Sequence, residues 1–205
     1  MAGAAPALVR LDREKSGAGR LLLAGVDEAG RGCWAGPVVA AAVVLPDGWC
    51  PSGLDDSKRL TGRQREKLYE EIHASALSWG ACAVSPLEID RTDILRATLH
   101  AMVRAVARLR PAPDRVLVDG NRAPDLDLPV ETLVGGDGRS ACVAAASVVA
   151  KVLRDRIMVA WDRRFPGYGF ASHKGYGAAA HREALHRLGP CPQHRLSYRP
   201  LVDLD

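Results

Sequence analysis

At 205 residues, with 47% hydrophobic and 25% charged side chains, the chain has the size and composition of one soluble globular domain with a sizeable core. A net charge of +4 permits a nucleic-acid partner without demonstrating one, because any basic surface must come from local clustering. Five cysteines (Cys33, Cys50, Cys82, Cys142 and Cys191), odd in number and never spaced C-x-x-C, argue against a disulfide scaffold or a zinc knuckle and suit the reduced thiols of a cytoplasmic protein.

In chain order, residues 1–19 are rich in Ala and Gly, carry mixed charges and lack a basic segment before their short apolar run. They make a poor signal peptide and read as a loose tail, leaving residues 20–205 as the folded domain. No apolar run approaches the ~20 residues of a membrane span, so no membrane partner is expected. "RLLLAGVDEA" and "GPVVAAAVVLP" read as two buried strands joined by a glycine-rich turn. "LTGRQREKLYEEIHASAL" is an amphipathic helix with Thr61 placed to cap it. "WGACAVS" suits a third strand, and "DILRATLHAMVRAVARLR" is a second helix whose basic last turn complements the helix dipole. "DRVLVDG" is a strand ending in Asp119, and "PVETLVGGDG" reads as another ending near Asp137. "SACVAAASVVAKVLRDRIMVAWDRRF" is a long helix capped by Ser140; a glycine-punctuated loop, one short helix and a basic extended end follow. The layout is a single α/β domain with antiparallel pairing at the front.

"GVDEAGRGCWAGP" poses a choice between a phosphate-cradling loop and carboxylates awaiting a cation. A dinucleotide fingerprint needs G-x-G-x-x-G opening a helix. Here Gly36 falls one residue late, a strand follows, and Asp27 and Glu28 would repel a pyrophosphate. One acidic pair at a strand end is explained by solvent, but Asp119 and Asp137 end apolar runs in the same way. Ligand sites in open α/β sheets form at the carboxyl ends of strands. If those ends are neighbours, four carboxylates share one pocket. Oxygen donors without His or Cys suit Mg²⁺ or Mn²⁺, the usual cations of phosphodiester chemistry.

Other polar residues receive plainer expectations. His173, His181, His186 and His194 are assigned to the surface or to phosphate contact, since a hard-metal site has no use for imidazoles. Asp155 is expected in an intrahelical ion pair. Asp55 and Asp56 belong to the loop before a helix. Lys58 suits a phosphate contact, with a plain surface lysine as the competing reading. "HREALHRLGPCPQHRLSYRP" is expected to flank a duplex as a basic arm.

"GVDEAGRGCWAGPVVAAAVVL", "DDSKRLTGRQREKL", "VLVDGN", "GGDGRSACVAAASVVAKVLRDRIM", "SHKGYG" and "HRLSYRPL" occur in the order seen in ribonuclease HII, and the chain resembles that family from about Leu21 to its C-terminus. The resemblance implies a ribonuclease H-like α/β fold: a central mixed five-stranded sheet flanked by helices, with a C-terminal helical and extended segment. It implies an endoribonuclease that cuts the RNA strand of RNA–DNA hybrids and incises duplex DNA at single ribonucleotides. The implied chemistry is two-metal-ion hydrolysis with Mn²⁺ or Mg²⁺, leaving 5′-phosphate and 3′-hydroxyl ends, without an obligate protein partner.

Carried over residue by residue, the catalytic and metal-binding quartet falls on Asp27, Glu28, Asp119 and Asp137. Substrate contacts fall on Gly30, Arg31, Gly32 and Tyr176. The 2′-hydroxyl is what separates RNA from DNA; the glycine turn would bring backbone groups to it, and Tyr176 would lie against the neighbouring deoxyribose. The chain departs from the family pattern at Gly135, where a lysine is expected, at Asp93 (asparagine), at Ala178 (threonine) and at Tyr198 (phenylalanine). Two competing identities are a hybrid-binding module that has lost catalysis, which the intact quartet opposes, and a ribonuclease HIII, for whose extra N-terminal domain the chain lacks room.

Overall fold

The computed structural model describes residues 5–57, 59–199 and 201. The two apolar runs that flank the glycine turn form β1 (Leu23–Ala29) and β2 (Val38–Val44), antiparallel, with Ala24 opposite Val44 and Ala29 opposite Val39. β3 (Ser78–Val84) adds antiparallel to β2, while β4 (Arg115–Asp119) and β5 (Val130–Leu133) join parallel on the far side of β1. The strand order is β3-β2-β1-β4-β5, the mixed five-stranded sheet that the resemblance implied. The helices are α1 (Ala5–Lys15), α2 (Gly62–Ser75), α3 (Pro86–Arg91), α4 (Ile94–Val106), α5 (Ala141–Arg164), α6 (Phe170–His173) and α7 (Ala179–Leu188).

β2 explains why the sheet is covered on both faces. Its residues "VVAAAVV" are all buried, and alternate members meet different partners. Ala41 and Val43 pack with α2 and α5, whereas Val38, Ala40, Ala42 and Val44 pack with α4. Small side chains let both helices come close. At Gly25 the approach is closer still: a Cβ there would stand 2.1 Å from the Cys142 carbonyl carbon, so any side chain would lift α5 off β1.

The expected helix starts hold. Thr61 and Gln64 form a reciprocal capping box on α2, and Ser140 accepts the Val143 N–H on α5. Asp93 accepts the Arg96 N–H at 2.8 Å and caps α4, a task aspartate performs as well as asparagine. Three features differ from expectation. Within residues 1–19, Ala5–Lys15 are helical, with Leu8 buried and Asp12 Oδ2 accepting the Cys142 N–H at 2.9 Å. α3 carries the capping box Ser85–Glu88 with Pro86 in its first turn, a local signal the sequence reading overlooked. β5 stops at Leu133, because Gly135 turns left-handed (φ 66°) and folds the chain into a 3₁₀ turn, Gly136–Gly138, that contains Asp137. Among the described residues no helix is long and apolar enough to cross a membrane.

Candidate active site

The site begins with strand register. β1 and β4 run parallel with Val26 opposite Val118, so the next residue on each strand is an aspartate, Asp27 and Asp119. Gly25 meets α5, and Leu117 packs with Val143 of α5. Two residues further on, alternation puts Asp27 and Asp119 on that same face. Asp119 Oδ1 accepts the Gly136 N–H at 2.7 Å, which holds the turn bearing Asp137 against the end of β4. Asp137 is itself buried.

Asp27 is 4% exposed, and its Oδ1 accepts the Glu28 N–H at 2.7 Å. Burial raises its pKa well above the ordinary carboxylate range, and the charges of Glu28 and Asp119 add to the rise. Glu28 Oε1 lies 3.3 Å from Arg31 Nη1. Among the described residues no three His, Cys, Asp or Glu side chains are gathered closely enough to hold a metal ion as they stand. The donor chemistry nevertheless fits a hard divalent cation. The donors are oxygen only, and the ionisation of the buried Asp27 is opposed by its neighbours and would be restored by a cation.

The turn after β1 has two unlike glycines. Gly30 sits at φ 97°, and a Cβ there would stand 1.9 Å from Arg154 Nε, so the fold itself demands glycine. At Gly32 a Cβ would meet nothing within 4 Å, so no neighbour in the fold requires its bare backbone. Arg31 is exposed between them. Tyr176 lies in the loop between α6 and α7 and is 45% exposed, with Lys151 Nζ and Arg154 Cζ each 5.8 Å from its ring centroid. The Trp34 N–H donates to the Gly175 carbonyl at 2.9 Å and Arg154 Nη1 to the Lys174 carbonyl at 2.9 Å, joining the tyrosine loop to the glycine turn. Lys58 lies outside the described residues.

The histidines correct the sequence expectation. His181 and His194 are fully buried, with their Nε2 atoms 3.0 Å apart. The Tyr176 carbonyl, 2.9 Å from His181 Nδ1, can only accept, so His181 Nδ1 carries the proton and its Nε2 accepts from His194. His194 Nδ1 then accepts the Cys191 N–H at 2.9 Å. Both rings are neutral in this relay, and burial pushes both pKa values down to about 4. His173 Nδ1 accepts the Gly175 N–H at 3.1 Å, so three of the four expected phosphate or surface histidines brace the Tyr176 loop from inside; His186 is exposed. The basic end is corrected at Arg195, which is 0% exposed, whereas Arg182, Arg187 and Arg199 are exposed. Asp155 forms its intrahelical pair, with Lys151 at 2.7 Å.

Residues 24–200 match the family model described as Ribonuclease HII. The chain belongs to the ribonuclease HII family. It is a metal-dependent ribonuclease H, acting on RNA–DNA hybrids. It is 56% identical over 177 residues to the ribonuclease HII of Syntrophotalea carbinolica, covering 86% of this chain and 85% of the relative. Over 181 residues it is 57% identical to that of an Acidovorax species, covering 88% and 87%. Among solved structures, the ribonuclease H2 from Pyrococcus horikoshii superposes with a TM-score of 0.73 at 27% identity, covering 88% of this chain and 95% of that one. At Gly135, where the resemblance implied a lysine, the backbone is left-handed (φ 66°), a conformation that glycine adopts more freely than lysine.

Proposed function

We propose that the chain, besides cutting the RNA strand of hybrids, incises duplex DNA at a single embedded ribonucleotide. The reaction is two-metal-ion hydrolysis with Mg²⁺ or Mn²⁺, and Asp27, Glu28, Asp119 and Asp137 hold the cations. The observation that carries this reading is the parallel register of β1 and β4, which sets Asp27 near the end of β1 beside Asp119 at the end of β4, while Asp119 Oδ1 holds the Asp137 turn through the Gly136 N–H. When bound, the cations supply activation of a water and neutralise charge at the departing 3′-oxygen, giving 5′-phosphate and 3′-hydroxyl ends.

The protein's own contribution is placement. Asp27 and Asp119 offer their oxygens from one face of the sheet, held by the Glu28 and Gly136 N–H groups. The Gly30–Gly32 turn meets the 2′-hydroxyl with backbone groups, and the open space over Gly32 leaves room for a sugar to come close. The exposed Tyr176 packs on the deoxyribose that follows, while Arg31 and Lys58 serve as phosphate contacts. Residues 20–205 form the catalytic unit of a cytoplasmic enzyme that needs no protein partner, and α1 packs against that unit through Leu8 and Asp12.

The test is a duplex carrying one ribonucleotide, incubated with Mn²⁺ or Mg²⁺ and mapped at nucleotide resolution. One incision beside the ribonucleotide, with 5′-phosphate and 3′-hydroxyl ends, is expected, and none in EDTA. Substrate bound but uncut with either metal would instead indicate a binding module.

A further inference from the structure

Behind the glycine turn lie two fully buried arginines, Arg154 and Arg195, and neither pairs with a carboxylate among the described residues. They spend their donors on backbone carbonyls instead. Arg154 donates to the carbonyls of Ala35, Pro37 and Lys174. Arg195 reaches the turn itself: Nη2 donates to the Gly30 carbonyl at 2.7 Å, Nη1 to the Arg31 carbonyl at 2.7 Å, and Nε and Nη2 to the Gly36 carbonyl at 3.0 and 2.8 Å. The Tyr198 hydroxyl accepts from Arg195 Nη1 at 3.1 Å and donates to the same Arg31 carbonyl at 2.8 Å.

A trans peptide is planar, with its carbonyl and the following N–H pointing in opposite directions. Drawing the Gly30 and Arg31 carbonyls inward therefore turns the N–H groups of Arg31 and Gly32 outward. Among the described residues neither of these N–H groups donates a hydrogen bond. The cation behind the turn also polarises both peptide groups, which makes the outward N–H groups stronger donors. Only a planar fork reaches three carbonyls from one buried position; a lysine ammonium is a single point.

We infer that Arg195, with the Tyr198 hydroxyl, is a positioning residue for ribonucleotide recognition: it pins two carbonyls inward so that the Arg31 and Gly32 amides are presented to a 2′-hydroxyl. This rests on the reading that the Gly30–Gly32 turn meets that hydroxyl.

The experiment measures dissociation constants for two duplexes of the same sequence, one with a single ribonucleotide and one all DNA. Ca²⁺ replaces Mg²⁺, and the substrate is checked to be uncut. The readout is the ratio of the two constants for the wild type, Arg195→Lys and Tyr198→Phe. Tyr198→Phe keeps the ring and loses one hydrogen bond to the turn, so its preference for the ribonucleotide should fall by about 2- to 12-fold. Arg195→Lys should fall by at least about tenfold, because the bonds it loses are made by a charged group. A purely structural role would lower the melting temperature and weaken both duplexes equally, leaving the ratio unmoved. If Arg195→Lys does not fold, Tyr198→Phe decides alone. A wild type without preference overturns the reading of the turn and this inference with it. A wild-type preference that the folded variants keep in full overturns this inference only.

Discussion

Asp27 is placed against its own ionisation. Its carboxylate is buried beside two other acidic groups, which holds its pKa above the ordinary 3.8. A folded-state pKa raised above the unfolded value contributes stability that is complete below 3.8 and is lost as pH rises through the folded value. In metal-free buffer at about pH 7 the charged carboxylate therefore works against the fold. Asp27→Asn should melt higher than the wild type there, by roughly 2–4 °C for each kcal/mol relieved in a chain of this size. The gap should close as pH falls towards the unfolded value. Melting curves in EDTA over a pH series check this, and a variant that melts lower near neutrality contradicts it. Tyr176 is the opposite kind of residue, exposed and held from behind by His181. Tyr176→Ala should depress kcat/KM at a single embedded ribonucleotide by about 5- to 150-fold, the usual worth of ~1–3 kcal/mol for such an aromatic contact. Cleavage within an all-RNA stretch should suffer less, since no deoxyribose meets the ring there. An unchanged ratio between the two substrates would assign Tyr176 a structural role.

Among the elements, α7 has an evident defect. Its N-cap, Ala178, has the extended backbone of a capping residue but no side-chain acceptor, although the helix carries His181 and so supports the tyrosine loop. Ala178→Thr should add about 1 kcal/mol, or roughly 2–4 °C in melting temperature, with the cleavage site unchanged. Thermal melts check it, and no gain would mean that the α7 N-terminus is already satisfied by other means. Elements fixed by local chemistry were legible in the sequence. α2 and α5 announce themselves through Thr61 and Ser140 and their apolar periodicity, and β1, β2 and β4 through apolar runs ending in glycine or aspartate. α1 was not legible, because what holds it is tertiary: Leu8 against the core and Asp12 on the Cys142 N–H. The end of β5 was misplaced because a single left-handed glycine breaks the strand before Asp137.

At the scale of the whole molecule, non-local pairing assembles the site. Asp27 and Asp119 were each visible as acidic strand ends, but only the parallel pairing of β1 with β4 makes them neighbours. The same holds for Arg195, which looks like part of a basic arm in the sequence. In the fold it returns to the first turn of the sheet and is wholly buried under it. The C-terminal segment thus braces the turn, which local sequence pattern has no means of revealing, because the carbonyls it binds carry no side-chain signature. Surface charge gives the molecule at most a mild bias towards its duplex, with a net +4; the focused charges are the carboxylates at the strand ends and the guanidiniums beneath the glycine turn.

Asp119 joins β4 to the Asp137 turn and faces α5 beside Asp27, so the metal assignment depends most directly on its carboxylate. Asp119→Asn keeps the size of the side chain and an oxygen to accept the Gly136 N–H, so the fold should persist by circular dichroism and melting. The measurement is kcat/KM on a duplex with one embedded ribonucleotide in saturating Mn²⁺. A loss of at least about a hundredfold is expected, since even groups one step removed from a metal typically cost 10- to 100-fold. A folded Asp119→Asn protein that cleaves at the wild-type rate would contradict the assignment of the cations to these strand ends.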